Sequence, residues 1–267
     1  MILVTYCKIV KAKYCNSDLT NVKGSYLRTF ACSDNNTYVV KFLNEQFGKR
    51  ILPNEYISGL LAKYLGLPCN DLNFVSVDGD LLESENLGSF STGIQLGICF
   101  DAHSSELRPF RVKNVTNFEE ILRVFVYDQW VYNLDRGTEY SNWMISNENG
   151  TLKIIDHSDV LGCRKWEISD LIRREYLSVS YNQSQFVYSN LYDFVKSQVE
   201  PSEHMNEFIE KIKGISPNVI ENMISSIPTE WINSEDREKM FEYLLSRQEN
   251  LYDLMYVERN KLFAEVG

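Results

Sequence analysis

Between Thr116 and Trp130 the apolar positions recur with the period of an α-helix. Phe118, Ile121, Leu122, Phe125, Val126 and Trp130 fall on one face, which predicts a core-facing helix. Thr116-Asn117-Phe118-Glu119 ahead of it has the form of a capping box, in which hydroxyl and carboxylate each satisfy an otherwise unpaired backbone N–H. A second helix is predicted over 56–65, with Ile57, Leu60, Leu61, Tyr64 and Leu65 inward. Asn54-Glu55 opens it just after Pro53, whose missing N–H has no helical partner there anyway, and Gly66-Leu67-Pro68 ends it.

The rest of the first hundred residues has the period of strands. The opening MILVTYCKIVKAKYC reads as one, 26–31 and 37–42 flank an Asp34-Asn35-Asn36 turn, and 74–77 and 93–100 add two more. Asp78-Gly79-Asp80 reads as a turn, and the Ser-rich stretch 81–92 as a mobile loop. From Leu191 the chain is helical. One helix over 194–199 ends at Pro201, and Ser216-Pro217 opens another with Val219, Ile220, Met223 and Ile224 inward. Asn233-Ser234 opens the longest, which buries Met240, Leu244, Leu251, Leu254, Met255 and Leu262.

The most informative stretch is 131–160. Asn133, Asp135 and Arg136 sit in a polar loop, and Asn142 leads the run Trp143-Met144-Ile145. Asn149-Gly150 supplies a tight turn, and Leu152-Lys153-Ile154-Ile155 delivers Asp156 and His157. This is a β-hairpin that places Asp135, Asn142 and Asp156 near one edge of a small sheet. Mg2+-dependent phosphoryl transfer needs such a set: one carboxylate orients the attacking hydroxyl, and a second, with an amide, holds the metal. Asp and Asn are also ordinary turn residues, and a hairpin flanked by them needs no chemistry.

Lys41 lies inside an apolar strand, where a charge is costly unless paired or aimed at a ligand. Followed by the helix-borne Glu55, it matches the arrangement that positions a lysine for nucleotide phosphates. An exposed edge lysine and a first-turn glutamate favoured by the helix dipole are the bland alternative. Gly24-Ser25, in the polar turn before the 26–31 strand, is a candidate phosphate loop and equally a simple turn.

The 267 residues carry a net charge of −10, which argues against nucleic acid or an anionic membrane as the main partner. No apolar run approaches the roughly 20 residues needed to span a bilayer, and no positively charged segment precedes the apolar start, so it reads as a strand rather than a signal peptide. The six cysteines are scattered without a C-x-x-C pair and the three histidines stand apart. That pattern fits reduced thiols in a cytoplasmic protein and no zinc site. Residues 163–192, with Arg173 and Arg174, are locally basic and read as an anion site or a solvated face. Residues 201–267 carry seven Lys/Arg against thirteen Asp/Glu, an acidic helical bundle.

In this order, YVVKF (38–42), NEYISGLLAKYLGLP (54–68), WVYNLDR (130–136), NWMI (142–145) and IIDHS (154–158) resemble the HipA-like kinase family, a branch of the protein-kinase-like fold related to HipA and the phosphoinositide kinases. The resemblance covers roughly residues 20–160. It implies an α+β, two-lobed fold, with a small β-rich N-lobe holding one main helix (1–105) and a mainly helical C-lobe (106–267). It implies Mg2+-ATP-dependent phosphoryl transfer, with a protein Ser/Thr hydroxyl as the expected acceptor. Lys41 would contact the ATP phosphates and Glu55 would hold Lys41. Asp135 would be the catalytic aspartate, Asn142 and Asp156 the Mg2+ ligands, and Gly24 and Ser25 would lie over the phosphates. An antitoxin-like or regulatory protein partner is implied by the resemblance alone. Two departures stand out: Gly137 replaces the His of many relatives, and the interval from Asp135 to Asn142 exceeds Asp-x-x-x-x-Asn. They leave open a pseudokinase, a fold kept as a nucleotide-binding or protein-interaction module.

Overall fold

The computed structural model describes residues 7–16, 27–44, 48–179 and 186–256. Strands β1 (Ile9–Cys15), β2 (Leu27–Cys32), β3 (Thr37–Lys41), β4 (Leu72–Val77) and β5 (Gly93–Cys99) close into a barrel in the order β1-β2-β3-β5-β4. Parallel pairing of β1 with β4, Ile9 opposite Phe74, makes the closure, and all other neighbours are antiparallel. Alternate residues Val10, Ala12, Phe30, Tyr38, Val40 and Val75 fill the interior. Closure leaves no long open edge.

Helix α1 (Ile51–Tyr64) lies between the barrel and the helical region. It starts before the Asn54-Glu55 opening expected from sequence, because Pro53 fits its first turn. Twelve of its fourteen residues are buried, so it has no solvent face and its polar residues Asn54, Glu55 and Ser58 must find partners inside. A Cβ on Gly59 would lie 2.5 Å from Leu72 Cδ1; the glycine lets α1 sit against β4. The Asp78-Gly79-Asp80 turn and the start of the expected mobile loop are instead a short helix, α2 (Gly79–Ser84), because Leu82 is drawn into the barrel core.

β6 (Ser104–Glu106), β7 (Trp143–Ser146) and β8 (Leu152–Ile154) form a second sheet in that order. The hairpin register pairs Trp143 with Ile154 and Ile145 with Leu152. Its connection is wider than a two-residue turn: Ser146 N donates to Thr151 O, and Gly150 closes the loop in a left-handed conformation (φ 74°).

Helix α3 (Glu119–Val131) is central to the C-terminal part, packed by α5 (Phe186–Lys196), α6 (Pro201–Lys213) and α8 (Ser234–Glu249), while α4 (Ile168–Arg174) packs on α8 and α7 (Pro217–Ser225) joins α8 to α1. The expected capping box does not form. Thr116 Oγ1 donates to Asn149 O (3.1 Å), and Asn117 pairs with the backbone of Leu152, donating to its O (3.1 Å) and accepting from its N (2.7 Å). These side chains tie the helix to the hairpin instead of capping the helix. Pro201 opens α6, as its ring allows in a first turn, and the preceding helix begins at Phe186. Asn233 caps α8 by accepting from Asp236 N, but the helix breaks at Asn250, and helical turns resume over 251–256; Leu262 lies outside the described residues.

The C-terminal end of α3 is held by Arg247 of α8, fully buried, which donates to the carbonyls of Gln129 and Trp130 (2.8 Å to the latter) and to those of Arg174, Glu175 and Leu177. Carbonyls that the helix end leaves unpaired are thereby satisfied, and the loop that follows has a fixed origin. Among the described residues no helix is long and apolar enough to cross a membrane.

Candidate active site

Lys41 is the last residue of β3, and its ammonium lies between two carboxylates, 2.7 Å from Glu55 Oε2 on α1 and 2.8 Å from Asp156 Oδ1 beyond β8. Neither Lys41 nor Glu55 has more than a tenth of its side chain exposed, whereas Asp156 keeps 39%. Burial opposes the charge on Lys41, but Asp156 and Glu55 outweigh it and raise the pKa. The two acids respond differently. Burial holds the Glu55 carboxyl above its ordinary value against the pull of Lys41, while at Asp156 Lys41 and Ser158 overcome burial and hold the carboxyl below the usual range. The charge of Asp156 adds to the upward push on Glu55, whereas Ser158 donates to Asp156 and favours its ionised form. Asp156 is also left-handed (φ 55°), a conformation a non-glycine residue keeps only when its surroundings impose it.

The loop after α3 brings in the second half. Tyr132 takes a left-handed conformation (φ 52°) and turns the chain out of the helix. Asn133 Oδ1 accepts from the backbone N of Asp135 (3.1 Å) and of Arg136 (3.4 Å). Asp135, half-buried, accepts at Oδ2 from Asn142 Nδ2 at 2.7 Å. The two halves meet where Ile155 N donates to Asn142 O (3.1 Å), so Asn142 lies beside the strand end that carries Asp156. Lys41, Glu55, Asp135, Asn142 and Asp156 are thus gathered at one place. Gly24 and Ser25 lie outside the described residues.

Sequence reasoning missed the side chains that hold this assembly. Arg136, fully buried, donates from Nε to Asp128 (2.9 Å), from Nη1 to Asn142 O (3.2 Å) and Ile155 O (2.6 Å), and from Nη2 to His157 Nδ1 (2.9 Å). One guanidinium therefore fastens the residue after Asp135 to the backbone at Asn142 and next to Asp156. Burial raises the Asp128 carboxyl to about 7 despite Arg136, and Tyr188 donates to it as well. His157 N donates to Glu55 Oε2 (2.8 Å), the same oxygen that meets Lys41, and so fixes the glutamate as a second donor. Asn54 and Ser58 on α1 also enter the buried polar set. The available signal was polar residues on the apolar face of predicted helices: Asp128 within 116–130, and Asn54 and Ser58 beside the 56–65 face.

In the first half of the locally basic stretch the arginines have acidic partners of their own. Arg164 pairs with Asp159, and Arg173 and Arg174 both pair with Asp170.

The HipA-like kinase family model matches residues 20–263, nearly the whole chain. The chain belongs to the HipA-like kinase family. Comparison with curated protein sequences gives no match. Among solved structures, the Helicobacter pylori proinflammatory kinase CtkA is similar over 97% of this chain and 99% of that one, at 15% identity and a TM-score of 0.60. The Golgi casein kinase with Mn/ADP bound is similar over 98% of this chain and 75% of that one, at 10% identity and a TM-score of 0.50. HipA of Shewanella oneidensis MR-1, in complex with HipB and operator DNA, aligns over 93% of this chain and 68% of that one, at 10% identity and a TM-score of 0.46. The first two likenesses show a kinase-like fold, and with the family match they make this HipA-like chain a kinase-type phosphotransferase.

Proposed function

We propose that this HipA-like kinase transfers the γ-phosphoryl group of ATP to a serine or threonine hydroxyl of a protein. The supporting observation is Lys41 held between Glu55 and Asp156, next to the Asp135–Asn142 pair. In this reading Asp135 takes the proton of the acceptor hydroxyl as its oxygen bonds to the γ-phosphorus and the bond to the β-bridging oxygen breaks, releasing ADP. Lys41 donates to the phosphates, and Glu55, itself fixed by His157 N, keeps Lys41 aimed at them. Two carboxylates against one ammonium leave the cluster with an excess negative charge. Asp156 and the side-chain Oδ1 of Asn142 are hard oxygen donors of the kind that, together with substrate phosphates, suit Mg2+. Bound there, Mg2+ would offset the charge on the β- and γ-phosphates.

The net charge of −10 favours a protein acceptor over nucleic acid or an anionic membrane. All six cysteines are free thiols, which supports a reducing, cytoplasmic location. An antitoxin-like regulatory partner is proposed on family membership alone. The lobe division at residues 105/106 also stays a proposal; it falls inside β6, and pairing with β7 puts those three residues with the C-lobe.

The test incubates the purified protein with labelled ATP and Mg2+, beside Asp135→Ala and Asp156→Ala, and follows label transfer by intact mass. Label on wild type and on neither variant supports the reading. Absence of transfer with Mg2+-ATP stabilisation that Lys41→Ala abolishes would point to a nucleotide-binding pseudokinase. Absence of both would sink each.

A further inference from the structure

Asn54 precedes Glu55 on α1 and is fully buried, yet none of its side-chain bonds is made within its own helix. Nδ2 faces three backbone carbonyls, Ser158 O (2.9 Å), Val160 O (3.0 Å) and Cys163 O (3.2 Å), and Oδ1 accepts from Trp166 Nε1 (2.9 Å). All four partners belong to the stretch that follows Asp156. That stretch has little regular structure of its own, and Asp156, Leu161 and Gly162 all adopt positive φ (55°, 56° and 91°). Such a path, with buried carbonyls, holds only where outside donors satisfy it.

The neighbouring contacts bind the same two pieces. Arg50 N, ahead of α1, donates to Arg164 O (3.1 Å), and the Arg50 guanidinium lies 4.4 Å from the centre of the Trp166 ring while pairing with the buried Asp236. The segment backs onto Gly48, where a Cβ would come within 2.5 Å of Arg164 O. Between Asp156 and Glu167 the one hydroxyl is Ser158. It is buried and donates to Asp156 Oδ1, so it is not an open site for modification.

In kinases controlled by ordering of the segment beyond the metal-binding aspartate, that segment and the helix carrying the lysine's glutamate change their relative position. Here a single carboxamide spans them. We propose that Asn54 is a positioning residue that locks the segment after Asp156 to α1, so that Lys41, Glu55 and Asp156 are assembled by the fold itself, without modification of that segment. The proposal rests on the roles given above to Lys41 and Asp156.

Asn54→Asp is the decisive variant, because it keeps the shape and turns the donor facing three carbonyls into an acceptor. Trp166→Phe is the milder one, since it removes the bond to Oδ1 and keeps an aromatic ring against Arg50. Hydrogen exchange of 158–166, which needs no activity, and steady-state kinetics are measured where circular dichroism shows each variant fully folded. The expected result for Asn54→Asp is at least about tenfold faster exchange in 158–166, with the barrel strands unchanged, and a fall in kcat of roughly tenfold or more with a smaller change in KM for ATP, one lost charge-orienting contact being worth that much. Trp166→Phe shifts both in the same direction by less, and it carries the test if Asn54→Asp does not fold. Phosphatase-treated wild type keeps its activity. Unchanged exchange in 158–166 overturns the clamp, and activity lost on phosphatase treatment overturns self-assembly. Faster exchange in Asn54→Asp, together with a wild type that neither binds nor turns over ATP, supports the clamp while refuting the kinase reading.

Discussion

The Arg136 guanidinium donates from Nη2 to Nδ1 of His157 across 2.9 Å, with both side chains buried. Arginine has only donors, so Nδ1 must carry the lone pair, and His157 is the neutral tautomer with its proton on Nε2. Burial, then the charges of Arg136 and Lys41, hold its pKa well below the ordinary value. The ring that follows Asp156 is thus a fixed acceptor for Arg136.

This gives the contribution of His157 to stability a pH dependence of definite sign. The unfolded chain takes up a proton at His157 near pH 6.5, and the folded chain does not. At this residue the unfolded state therefore binds more protons below that pH. The contribution of His157, complete above about 6.5, falls as pH drops by at most about 1.4 kcal/mol per unit, while Asp128, raised to about 7, contributes with the opposite sign. Urea unfolding of wild type and His157→Gln between neutral and mildly acidic pH measures it. A variant with the wild-type slope would show that His157 is not the source.

Asp135→Asn separates chemistry from binding. The substitution keeps the size of the side chain but removes the base, and kcat should fall by about 10²–10⁴. Stabilisation by Mg2+-ATP should persist in this variant and vanish in Lys41→Met. Undiminished turnover in Asp135→Asn would remove Asp135 from the proposed role.

At the start of α3 the ranking of two neighbours is the test. Asn117→Ala removes two hydrogen bonds to Leu152 and should cost about 2 kcal/mol, whereas the exposed Thr116 makes one and should cost about half that. Denaturant midpoints for the two variants decide it. A larger loss at Thr116 would restore the capping-box reading.

The barrel strands, α1, α3 and the hairpin were legible in the sequence, because periods of two and of 3.6 belong to a segment's own backbone. Reading failed where a side chain had two uses. Thr116 and Asn117 suit a helix cap, but the hairpin lies against them and takes their hydrogen bonds. Asp78-Gly79-Asp80 suits a turn, but Leu82 has a core to enter and the chain coils to reach it.

The sequence by itself determined the elements and the chemical types they carry: a lysine ending a strand, a glutamate early in a buried helix, and an aspartate on each side of a hairpin. Only the tertiary structure decided which of these meet. Lys41 and Asp156 are 115 residues apart, and Asn54 and Trp166 are 112 apart. The bonds that orient the site, from Arg136, His157 and Asn54, exist because burial removes water and leaves each polar group only the partner that the fold sets opposite it.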